Sequence, residues 1–279
     1  MLEHFTGETA IFWDCEGDKV PAAGKRVYIG NEFCDKALPA REVLFAALRT
    51  CEERRGKATF VTPFMTEKGL RAAAALSGVI NAMICCDEIV VNDWGFLSVI
   101  GEWAPQKKLI AGRLLVSRYF PGQDDEALSA GKSSQDAAAR YLFPEEFLSF
   151  MGGYGVKAIE FNSWKHAQVA SRQLQAHGIA ANLYIPYAYV TTSRFCSCAH
   201  QFKSFPRSLD FICHKECGSI MANVGYDKSA AAMIIRGNTY FIYQHLAEQK
   251  RGVETIQRII INDAGVDIGR GDEDKNSVK

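Results

Sequence analysis

Strand-like and helix-like stretches alternate along most of this chain, and that order restricts its fold more than any other feature. Arg26–Gly30 (RVYIG) is β-branched and aromatic and ends in glycine, the pattern of a strand. Pro39 marks a helix start, and Ala40–Arg54 places Val43, Leu44, Ala47, Leu48 and Cys51 on one helical face before Gly56 ends the run. The alternation continues with strand Ala58–Val61, helix Glu67–Ala82, strand Asp87–Asn92 and a short helix Phe96–Ile100. Then come strand Lys108–Ala111, helix Pro144–Phe150, strand Ala158–Phe161, helix Trp164–Ala176 and strand Ala181–Tyr184. Such βαβα order with short turns implies a mostly parallel sheet covered by helices. Right-handed crossovers close it most simply as a barrel or a doubly wound sheet. No Gly-x-Gly-x-x-Gly follows the first strand and no Walker loop is present, which disfavours a nucleotide-binding Rossmann domain.

The pattern changes from Met221. Ala230–Ile235 and Tyr240–Tyr243 flank Arg236-Gly-Asn-Thr239 as a hairpin, and Val253–Asn262 reads as a last helix. The expected organisation is a single domain over 1–279: a barrel over about 25–220, a small C-terminal α+β closing element over about 221–265, and a polar tail over 266–279. Gln123–Ala139 is small and polar, a surface insertion. At 279 residues the length suits one barrel better than two domains.

Lys+Arg and Asp+Glu both total 32, so the net charge is zero, which makes nucleic acid an unlikely partner and favours a small-molecule substrate. The start of the chain lacks a basic stretch followed by an apolar one, and no apolar run reaches the ~18 residues of a membrane span. Both point to a cytoplasmic protein without a membrane span. The nine cysteines, odd in number and scattered, then read as reduced.

Five of them sit in polar, turn-rich text. Cys34 lies just past the first strand; Cys196, Cys198, Cys213 and Cys217 follow the strand Ala181–Tyr184. In a closed parallel barrel all strand C-terminal ends share one rim, so closure would bring Cys34 to the others. Four thiolates around one point hold a soft centre, either an iron–sulfur cluster or a structural zinc. Cys196, Cys198, Cys213 and Cys217 alone would make a four-cysteine zinc site, so the residues leave the ligand set open. Cys51, Cys85 and Cys86 read as core, and Cys15 carries no assignment. His200 and His214 flank the thiols as loop histidines able to donate to sulfur.

Several segments together resemble the U-32 collagenase-like peptidase family. They are Gly30-Asn-Glu-Phe-Cys34-Asp-Lys, Asp87-Glu-Ile-Val-Val-Asn92-Asp-Trp-Gly95, Ile110-Ala-Gly-Arg113-Leu-Leu115, Ala158-Ile-Glu160-Phe-Asn162, Tyr184-Ile-Pro186-Tyr and Ser193-Arg194-Phe-Cys196 with the later cysteines. The chain is most similar to the family's short, single-domain, UbiV-like branch. The resemblance implies a TIM-like (β/α) barrel, incomplete or irregular, with Cys34, Cys196, Cys213 and Cys217 holding a [4Fe-4S] cluster; Cys198 is the alternative ligand and a structural zinc the alternative metal. It implies oxygen-independent hydroxylation of a small aromatic, ubiquinone-precursor-like substrate, with a prephenate-like oxygen donor and a second family member as hetero-oligomeric partner. The alternatives are a non-catalytic, cluster-bearing electron-transfer or scaffold subunit, RNA-base hydroxylation, or a peptidase. Proteolysis finds no support in the residues: there is no Gly-x-Ser-x-Gly, no His-Glu-x-x-His and no Cys–His dyad. Polar residues at strand ends are the candidate substrate contacts: Arg113 and Asn92 first, then Glu160, Asn162 and Arg194. Trp94, Trp164 and Tyr187 are candidate walls for a planar substrate.

Overall fold

A computed structural model describes residues 5–13, 21–116, 143–200, 212–218, 221–224, 233–244 and 255–262. Eight strands form a closed parallel barrel: β1 (Glu8–Trp13), β2 (Arg26–Gly30), β3 (Lys57–Val61), β4 (Cys86–Val91), β5 (Lys108–Ala111), β6 (Val156–Phe161), β7 (Ala180–Ile185) and a last strand, Ile256–Ile261. Between them run α1 (Arg41–Glu53), α2 (Glu67–Ala82), α3 (Trp94–Trp103), the short α4 (Arg113–Val116), α5 (Glu145–Gly153) and α6 (Trp164–Ala176). The TIM-like barrel is therefore present, and the helices and strands expected between residues 26 and 184 all form. The insertion Gln123–Ala139 and the tail 266–279 lie outside the described residues, as does Cys15. Among the described residues no helix is long and apolar enough to cross a membrane.

The ends of the barrel differ from expectation. Its first strand is β1, which the sequence pattern did not mark, and its last is Ile256–Ile261, where a helix over Val253–Asn262 was expected. Val253, Ile256 and Ile260 fall at helical spacing, but four of the six residues in IQRIII are isoleucine, which suits a strand covered on both faces. The barrel strands thus run from residue 8 to residue 261, wider than 25–220. The small closing element is a four-stranded antiparallel sheet of β8 (Tyr187–Thr192), β9 (Met221–Val224), β10 (Met233–Arg236) and β11 (Thr239–Tyr243), in the order β8-β11-β10-β9. It enters the chain between β7 and the last barrel strand, here β12, and so departs from the C-terminal end of β7 at the barrel mouth.

Two groups of side chains stand out inside the barrel. The first is an apolar ring with one residue per strand: Ala10, Tyr28, Val61, Val90, Ile110, Ala158, Tyr184 and Ile260. The second is a charge network at the strand N-terminal ends. Arg258 forks onto Glu88 (Nη1–Oε2 2.7 Å, Nη2–Oε1 3.0 Å), donates to Glu8 Oε2 at 2.7 Å, and reaches the Tyr28 hydroxyl at 2.9 Å. Arg26 donates to the other Glu8 oxygen at 2.9 Å and to Asp87 Oδ1 at 2.7 Å. Burial pushes the Glu8 carboxyl up, but Arg258 and Arg26 outweigh it and hold the group below its ordinary range.

Removing one member of a buried ion network leaves the other charge uncompensated, which is costly. Arg258→Met should lower unfolding stability by about 3–5 kcal/mol in urea titration. Arg49→Met breaks only the exposed Arg49–Glu53 pair and should cost under about 1 kcal/mol. Equal costs would contradict the network's role.

Candidate metal centre and barrel mouth

The loop after β2 builds one side of the site. Gly30 has φ 129°, and a Cβ there would strike the Val61 carbonyl oxygen, so this close turn requires glycine. Asn31 Oδ1 then accepts from the amides of Phe33 (3.0 Å) and Cys34 (2.8 Å), fixing the loop as a side-chain-closed turn. Cys34 follows, and the backbone amides of Lys36 and Ala37 point at its sulfur.

The other side is built by Ser193–Cys198, the segment Cys213–Cys217 and the β10–β11 turn. That turn organises the whole. Asn238 Nδ2 donates to the Phe33 carbonyl at 2.7 Å and to the Ser193 carbonyl at 2.6 Å, tying the Cys34 loop to the Cys196 loop. Gly237, at φ 63°, gives its amide to Cys198 Sγ at 3.1 Å and its carbonyl to the Ser197 amide at 2.9 Å. Arg236 Nε binds the Cys217 carbonyl at 3.1 Å.

Four of the five sulfurs receive backbone amides. Besides Cys34 and Cys198, Cys196 accepts from Ala199 and Cys213 from Lys215, each at 3.4 Å. Burial pushes the Cys217 thiol up to about 11, with further pushes from Cys196, Cys198, Cys34 and Cys213. The other four thiols therefore stand within electrostatic reach of Cys217. As placed, no three His, Cys, Asp or Glu side chains among the described residues close around one point in a way that could hold an ion. The donor chemistry suits a thiolate-held centre, since amides directed at sulfur stabilise its anionic form. His200 Nδ1 meets the Cys196 carbonyl at 2.8 Å and its ring stacks on Phe195.

Beside this cluster lies a buried charge pair. Arg113 donates Nε to Glu32 Oε1 at 2.7 Å and Nη2 to Glu32 Oε2 at 2.5 Å, and both residues are fully enclosed. Its Nη1 reaches Asn162 Oδ1 at 2.6 Å. The guanidinium lies 3.7 Å from the Tyr184 ring centroid, with Phe33 and Tyr189 farther out. Asn162 also pairs with the Tyr189 backbone, fastening β8 to the mouth.

The remaining expected contacts separate. Asn92 donates to the Thr62 carbonyl at 2.9 Å, accepts from the Leu114 amide at 3.0 Å and packs so tightly on Gly112 that no Cβ fits there. It fastens neighbouring strand ends. Glu160 does stay with the site, buried and within electrostatic reach of Arg113 and Glu32, whereas Arg194 is exposed on the rim near the Phe64 ring. Trp164 is buried against the barrel and Trp94 packs on Phe147 and Phe150. Glu32, Tyr184 and Asn238 were not anticipated. Glu32 and Arg113 each stand one or two residues past a strand-end glycine, a position that faces the mouth of a parallel barrel and could have marked them.

No family model matches the chain, and no curated protein does. Among solved structures it is similar to the U32 peptidase Mk0906 at 8% identity and a TM-score of 0.44, with 92% of this chain and 93% of that one covered.

Asn238→Ala should release the clamp. The expected result is a loss of about 1–3 kcal/mol, with two carbonyls left unpaired, and faster labelling of Cys34 by a thiol reagent. Unchanged labelling would show that the clamp does not hold the Cys34 loop in place.

Proposed function

We propose that this chain is an iron–sulfur protein of the U-32 type that takes part in oxygen-independent hydroxylation of a small aromatic, ubiquinone-precursor-like molecule. One observation carries this reading: cysteines from distant parts of the chain gather at the barrel mouth with backbone amides on their sulfurs. Cys34, Cys196, Cys213 and Cys217 would hold a [4Fe-4S] cluster, with Cys198 as the alternative ligand and zinc as the alternative metal. Such a cluster supplies one-electron chemistry when bound.

The chain's own residues would orient the reactants. Arg113, locked by Glu32 and stacked on Tyr184, sets a fixed positive group under the mouth, and Asn162 ties it to β8. A prephenate-like donor carries carboxylates that would pair with Arg113 by displacing Glu32. The partner in this reading is a second member of the same family. The complete pairing of Arg113 with Glu32 favours a second reading, in which the chain is a cluster-bearing electron-transfer or scaffold subunit and the partner binds the substrate.

Anaerobic purification should give a coloured protein with about four irons and four sulfides per chain. Cys34→Ser and Cys217→Ser should lose that iron, and Cys198→Ser should keep it. A colourless protein holding one zinc would overturn the cluster, and full iron in Cys34→Ser would transfer the fourth ligand to Cys198. Product formed by the chain alone supports the first reading; product formed only with a second chain supports the subunit reading.

A further inference from the structure

Three residues inside the barrel carry five buried polar atoms without a hydrogen-bond partner among the described residues. They are both carboxylate oxygens of Glu160, both amide atoms of Asn182 and the hydroxyl of Tyr184, on side chains with no exposed surface. Buried polar atoms are almost always satisfied, by protein or by ordered water. The three are contiguous. Asn182 on β7 stands in register with Glu160 on β6 and, on its other side, with Arg258 on β12. Tyr184 lies two residues farther along the same face of β7, beneath the Arg113 guanidinium. A polar row thus climbs the tilted sheet from the charge network to the mouth.

The surrounding charges decide what the row can take. Above it, Arg113 is matched by Glu32. Below it, Arg258 is matched by Glu88 and Glu8, and the Tyr28 hydroxyl accepts from Arg258 and stands near Glu160, close enough to pull its carboxyl down though outside hydrogen-bond geometry. Those charges are paired among themselves, which leaves the Glu160 acid alone in the row; in its protonated form it adds no charge, and the guest is then neutral and bears both donors and acceptors.

We propose that Glu160, Asn182 and Tyr184 enclose an internal site for water, and that this hydrated row gives the Glu160 carboxyl an exchangeable proton beneath the barrel mouth. Burial, then the Glu32 charge, push Glu160 up to about 8 against the pull of Arg113, Tyr28 and Arg258. The acid is therefore mostly neutral near pH 7, and Tyr184 stands between it and Arg113. The inference stands independently of any cluster, because none of its residues is a thiol ligand.

Infrared difference spectra of the intact protein against Glu160→Gln test it. The expected result near pH 7 is a protonated-carboxyl C=O band, lost in the variant, that shifts promptly in D2O. No such band, or a band that stays unshifted in folded protein, would overturn the proposal. The folded protein binds the Glu160 proton more tightly than the unfolded chain, so this group's contribution to stability declines as pH rises from about 4.5 to about 8 and then levels. Glu160→Gln should remove that decline, and an identical profile would overturn the proposal. A crystal structure of the unaltered chain covers the case in which the variant does not fold: water between Glu160 and Asn182 supports it, and a dry chamber or a bound additive in place of water contradicts it.

Discussion

Eight parallel strands form a closed cylinder only when the first and last pair, and here Glu8–Ile11 pairs in register with Arg258–Ile261. That seam is closed by charge as well as by the ladder, because both oxygens of Glu8 are taken by Arg26 and Arg258 on the two neighbouring strands. Everything at the mouth follows from the closure. It places β2 two strands from β12, and it places β7, with the antiparallel sheet that leaves it, on the other side of β12. The Cys34 loop and the Cys196–Cys217 segment therefore share one rim although about 160 residues separate them in the chain.

Proximity alone would leave two loops to drift. The β10–β11 turn removes that freedom by speaking to each side: Asn238 holds the Phe33 and Ser193 carbonyls, Gly237 holds Cys198 and Arg236 holds Cys217. A backbone amide aimed at sulfur lowers the free energy of the thiolate, and burial raises it. With no centre bound, burial wins and the thiols of Cys34, Cys196, Cys198 and Cys217 are all pushed up. A positive centre held there would reverse that balance.

The middle of the fold was readable because each strand from β2 to β7 is a short β-branched run between breakers or helices of clear period. Its ends were not. Ile256 and Ile260 fit helical spacing, and only pairing to β1 and β7 makes that segment a strand. The five cysteines were legible as residues of polar text past strand ends. Their fastening was not, because Asn238 looks in sequence like any hairpin-turn asparagine. The Glu32–Arg113 pair spans 81 residues and has no local signature. Asn92 was legible as a strand-end residue but not in its role, since its partners are backbone atoms of neighbouring strands. Glu160 and Asn182 show the same limit: cross-strand register brings them together, and nothing short of the closed sheet specifies it.

The central claim is that barrel closure assembles one iron-binding thiol set from both ends of the fold. Anomalous diffraction at the iron edge, from crystals of the full chain grown without oxygen, tests it most directly. The account predicts one strong iron peak bounded by Cys34 on one side and by Cys196, Cys213 and Cys217 on the other. An iron peak that excludes Cys34, or a zinc peak among the later cysteines alone, would contradict it.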